Sequence, residues 1–76
     1  MTDARHAVLE LLLEQHPGLL PVEELTREMT GGAESFAQRD RIAVAVRELV
    51  ASGLANRVGE FVFASHAAAI ADQLTP

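Results

Sequence analysis

Six arginines and no lysine supply the fixed positive charge of this 76-residue chain. Four of them, Arg39, Arg41, Arg47 and Arg57, fall between residues 38 and 58 against only Asp40 and Glu48, so that stretch carries a net +2 and the rest of the chain −7. A guanidinium presents a planar fork of donors that fits a phosphate or the O6 and N7 edge of guanine. Spaced arginines in one positive stretch therefore point to nucleic acid. The overall charge of −5 argues against coating nucleic acid without regard to sequence, so such contact is confined to that stretch. An arginine-only set fits a need for forked donors and a GC-rich coding bias equally well.

Other chemistry finds little footing. His6, Glu10 and Glu14 stand at i, i+4, i+8, a spacing that can gather metal ligands but more often marks the solvated side of a helix. His6, His16 and His66 fall on separate elements, no serine or aspartate stands at a motif spacing, and there is no cysteine for a nucleophile, a thiolate site or a disulfide. The Gly31-Gly32 pair lacks the lysine that completes a phosphate-binding loop, and Glu34 would repel an anion. The reading is of a protein that is not an enzyme and holds no metal or cofactor.

The elements that position the arginines follow from periodicity. Ile42, Val46, Leu49 and Val50 recur at i, i+4, i+7, i+8 and predict a long third helix with that side inward. Ser35 and Gln38 form the S-x-x-Q capping box that starts it. Gly53 and Leu54 stop it in a Schellman motif, with Leu54 falling on Leu49. The side away from that stripe holds Ala37, Asp40, Arg41, Val44, Arg47, Glu48 and Ala51. Arg41 and Arg47 are well placed to contact a partner, unless Arg41 and Glu48, or Arg47 and Glu48, are simply a solvated mixed-charge helix face.

Beyond the stop, residues 54–58 and 61–64 flank Gly59-Glu60, and glycine first in a two-residue loop predicts a type II′ hairpin. In that register Val58 faces Phe61 and Asn56 faces Phe63. Leu54, Val58, Phe61 and Phe63 then share one face, expected to be the inner one, with Arg57 and Val62 on the other.

Upstream, a first helix over Ala4 to Gln15 is capped by Thr2 or Asp3. It presents Val8, Leu9, Leu12 and Leu13 inward and leaves Leu11 off the stripe. Leu19 and Leu20 are able to add a strand to the hairpin's edge. Pro21 suits the first turn of a second helix ending near Met29, with Glu23 and Glu24 at its positive end and Val22, Leu25 and Met29 inward. Ser65 caps a last helix in which Ala67, Ile70, Ala71 and Leu74 line one side, able to pack on the first helix of its own chain or on its copy in a dimer.

This is one domain with a thin margin of stability. No apolar run approaches the roughly 18 residues of a membrane span, no basic and apolar leader opens the chain, and the absence of cysteine fits a reducing compartment. A cytoplasmic protein is expected.

The order of these elements, with the run RDRIAVAVRELVASGLANRVGEFVF, resembles the winged helix-turn-helix domains of bacterial transcription regulators, in particular the small arginine- and alanine-rich type of high-GC bacteria. The carrying features are Ile42, Val46 and Leu49, then Gly53-Leu54 leading straight into a hairpin. The resemblance covers about residues 5–64, with 65–76 as an appended helix. It implies a mainly α fold with a small β-hairpin (α+β): a three-helix core, a wing and a C-terminal helix.

The resemblance also implies a third helix lying in the major groove. Gln38, Arg39, Asp40, Arg41 and Val44 would face DNA, with Arg47 at the margin, and Arg57 on the wing would approach the backbone or the minor groove. The function implied is sequence-specific binding of double-stranded DNA, with transcription regulated by operator occupancy. Two half-sites imply a homodimer, whose natural seam is Leu11, Ile70 and Leu74. The alternative is a winged-helix module that binds another protein.

Overall fold

Leucine and valine at three- and four-residue spacing make α1 (Ala4–Gln15), which buries Val8 and Leu12 completely. The computed structural model describes residues 4–32 and 36–74. The expected caps at Thr2 or Asp3 and the Ser35 half of the capping box lie outside them. After α1 come β1 (Leu20–Pro21), α2 (Val22–Thr30), α3 (Phe36–Ala51), β2 (Ala55–Val58), β3 (Phe61–Ala64) and α4 (His66–Leu74). The architecture is α+β: four helices and a three-stranded antiparallel sheet in the order β1-β3-β2. None of these helices is long and apolar enough to cross a membrane.

Local chemistry sets the boundaries. At the end of α3, Gly53 adopts φ 81°; its N–H donates to Val50 O at 3.1 Å and the Leu54 N–H to Leu49 O at 3.0 Å. These are the paired bonds of a Schellman motif, and they turn the chain directly into β2. Gly59 takes φ 60° and Glu60 does not follow it into positive φ, which makes the hairpin turn II′ rather than I′. The register is Val58 opposite Phe61, Arg57 opposite Val62, Asn56 opposite Phe63 and Ala55 opposite Ala64. Ser65 caps α4, its Oγ accepting from the Ala68 N–H at 3.1 Å.

Leu20 and Pro21 pair with Val62 and Phe61, adding the expected third strand at the hairpin's edge. Pro21 sits one step earlier than expected, at the N-cap of α2 with an extended backbone (φ −60°, ψ 139°). Edge pairing suits a residue with no N–H to donate. The Val22 N–H continues the ladder to Glu60 O at 2.8 Å, which ties the hairpin turn to the start of α2.

The core gathers Val8, Leu12, Leu20, Leu25, Ile42, Ala45, Val46, Leu49, Ala55, Val62 and Ala64. Val22 and Met29 are partly buried against it, completing the stripe expected of α2. Three expectations about facing are corrected. The inner face of the hairpin carries Ala55, Val62 and Ala64, whereas Phe61 is 43% and Val58 63% exposed. Ala55 stands opposite Ala64, and this small pair lets the sheet close on the helices where phenylalanines would hold it off.

On α3, Ala45 is buried and Val50 exposed, so the inward stripe is rotated from Val50 toward Ala45. On α4, Ala68 and Ala69 face in, while Ala67, Ile70, Ala71 and Leu74 are exposed. Leu11 is partly buried against the core. The reason is that α1 is surrounded, with α3, β3, α2 and α4 all packed on it, and so buries a wider arc than one stripe.

Candidate nucleic-acid interface

The burial of Ile42, Ala45, Val46 and Leu49 fixes how α3 is rotated. At about 100° per residue, Phe36, Asp40, Val44 and Arg47 fall in a sector roughly 80° wide that points directly away from this buried side. Arg39 and Arg41 flank that row, each about 100° from its centre on opposite sides. All of these are exposed except Val44, which is half-buried. The helix thus presents a central row with an arginine on either margin.

Electrostatics leave the row available. Glu48, the carboxylate nearest in sequence to Arg47, is held by α1 instead: Arg5 Nη1 donates to Glu48 Oε2 at 3.1 Å. Arg41, Arg47 and Glu48 are all exposed, and neither arginine is at ion-pair distance from Glu48 among the described residues. Among the described residues, Arg39, Arg41 and Arg47 have no carboxylate at ion-pair distance. Three guanidinium groups against Asp40 and Glu48 leave this helix net positive on an otherwise acidic protein.

The other expected contacts are placed differently. Gln38 and Arg41 line a small hollow with Ala4, Met29, Thr30 and Ile42, where the end of α2 meets the start of α3. Arg41 is thus the arginine nearest the junction of the two helices. Arg57 is exposed, but its Nε–H donates to Gly59 O at 3.0 Å, curling the side chain back over its own turn. It shares a hollow with Pro21, Val22, Glu23, Thr26 and Glu60. Arg57 therefore stands beside the start of α2.

Phe36 is the residue that the sequence reading missed. It is 93% exposed and opens the row that Asp40, Val44 and Arg47 continue. A signal was present, since a phenylalanine at the first position of the helix falls outside the inward stripe.

Elsewhere, a cleft of about 670 Å³ opens between the start of α1 and the end of α3, lined by Arg5, His6, Leu9, Glu48, Leu49, Ala51, Ser52 and Leu54. Within it Arg5 pairs with Glu48, and Ser52 Oγ donates to Leu49 O at 3.1 Å. His6 Nε2 lies 3.2 Å from Glu10 Oε1 on the solvent side of α1. Glu14 instead neighbours Glu10, Leu13 and Asp72. Among the described residues no group of three His, Cys, Asp or Glu is gathered to hold a metal ion.

Of the expected dimer seam, Ile70 and Leu74 are 43% and 78% exposed, while Leu11 contributes to the core. No family model, no curated protein and no solved structure matches the chain.

Proposed function

We propose that this chain is a winged helix-turn-helix protein that binds double-stranded DNA in a sequence-specific way and regulates transcription by occupying its operator. The observation that carries the reading is the outward side of α3, with Arg39, Arg41 and Arg47 exposed and unpaired by carboxylates among the described residues. The element order and the β1-β3-β2 sheet support the same reading, because they leave one side of α3, the longest helix among the described residues, exposed.

In this reading the central row enters the major groove. Arg47 forks to guanine or phosphate, Asp40 accepts from an exocyclic amine, and Arg39 and Arg41 take phosphates of the two groove walls. Few phosphates are neutralised by one copy, so binding is weak unless two copies engage half-sites about one helical turn apart. A homodimer is part of the proposal.

A second use of the same fold, as a module that binds another protein, is favoured by the outer face of the hairpin, where Leu54, Val58 and Phe61 are exposed. Fluorescence anisotropy separates the two. Labelled duplex from the region upstream of the protein's own gene and a scrambled duplex are titrated at low and near-physiological salt. Preference for the native duplex that persists at the higher salt supports DNA recognition, and no binding at either salt turns the search to the hairpin face. For a binding protein, Arg47→Ala should weaken affinity by about tenfold with an unchanged melting temperature.

A further inference from the structure

We infer that Phe36 is a specificity-determining residue that reads the 5-methyl group of a thymine in the major groove, an inference resting on the DNA-binding reading above. With 93% of its surface exposed, Phe36 is the most exposed of the large apolar side chains among the described residues. Leaving a phenyl ring in water forgoes the stabilisation that burial would give. Its position is as specific as its exposure. It stands one turn before Asp40 and two before Val44, on the row that faces away from the buried side of α3.

The chemistry of the groove narrows what such a side chain can read. The edges of adenine, guanine and cytosine present hydrogen-bond donors and acceptors there, which a phenyl ring cannot satisfy. Thymine adds the one apolar feature, its methyl group. Asp40 and Arg47 on the same row supply the polar partners that Phe36 lacks. Eleven residues of helix separate Phe36 from Arg47, roughly 16 Å, which is about five base-pair steps. The thymine read by Phe36 and a guanine read by Arg47 therefore belong to the opposite ends of one half-site.

The test begins with selection of duplexes from a randomised library by the full chain. In the selected duplex each thymine is then replaced, one at a time, by uracil, which removes the methyl group and nothing else. Anisotropy titrations of wild type, Phe36→Ala and Phe36→Leu are compared, with circular dichroism melts as the control for folding.

One thymine per half-site should lose about fourfold in affinity for the wild type on conversion to uracil, the value of burying one methyl group. Phe36→Ala should bind the thymine and uracil forms alike, and Phe36→Leu should keep part of the difference. A selected duplex in which no thymine is sensitive, or a Phe36→Ala variant that keeps the sensitivity, overturns the role of Phe36 and leaves DNA binding standing. A library from which no duplex is enriched overturns the DNA reading and this inference with it.

Discussion

The chain treats its large apolar residues in opposite ways at its two ends. In α1, α2 and α3 the leucines, isoleucine and valines of the core face inward, Val8, Leu12, Leu25, Ile42, Val46 and Leu49 among them. In the hairpin and α4 the inward positions go mostly to alanine, at Ala55, Ala64, Ala68 and Ala69, with Val62 the exception, while Val58, Phe61, Ile70 and Leu74 stay exposed. Both ends are amphipathic in pattern. At the first end apolar bulk fills volume; at the second, small residues let the sheet and α4 approach a core already filled, and the bulk is left on the surface. An apolar side chain is therefore evidence of burial only where there is room for it.

The largest effect should come from the filled end. Leu25 has no exposed surface, and Leu25→Ala should cost about 2–5 kcal/mol, the lost transfer energy plus a cavity that its neighbours close only in part. A chain of this size is stabilised by roughly 4–11 kcal/mol in total, so the variant should melt far below the wild type or fail to fold. Urea denaturation followed by circular dichroism measures the loss. A cost under about 1 kcal/mol would mean that α2 does not seal the core.

At the alanine end the expected order inverts the hydrophobicity scale. Ala64→Leu adds apolar surface but has no space for it opposite Ala55 and should cost about 1–3 kcal/mol. Val58→Thr removes an apolar group from a position 63% exposed and should stay within about 0.5 kcal/mol. Equal costs from parallel denaturation curves would remove the contrast between the two faces of the hairpin.

That contrast also marks the limit of what could be read from residues alone. The element order, the Schellman stop at Gly53, the II′ turn at Gly59, the hairpin register and the Ser65 cap were all legible, because each rests on local backbone chemistry within a few residues. Which face of the hairpin and of α4 turns inward was not, because period-2 and period-3.6 patterns fix which residues share a face and say nothing of how much volume the other elements leave. Leu54, Val58, Phe61 and Phe63 make the more hydrophobic face, yet Ala55, Val62 and Ala64 are the residues that turn inward. On α3 the solvent side was legible from its arginines. The Glu48 partner, Arg5, was not, since 43 residues separate the two in the chain.

The smallest effect on folding and the sharpest on assembly should come from Leu74. It is 78% exposed and lies on the apolar side of α4 with Ile70, turned away from the alanines that rest on the core. Leu74→Glu should move the melting midpoint little, within about 0.5 kcal/mol of stability. If α4 forms the seam of the proposed homodimer, however, the substitution places a carboxylate on each copy where the two copies meet. Sedimentation velocity should then show a wild-type dimer and a variant monomer at the same micromolar concentration. A variant that remains dimeric would shift the seam to the hairpin's outer face, where Phe61→Ser is the corresponding break. A wild type that sediments as a monomer would leave each copy only its own arginines with which to hold DNA, and the exposed apolar surface of this end would then need a different partner to cover it.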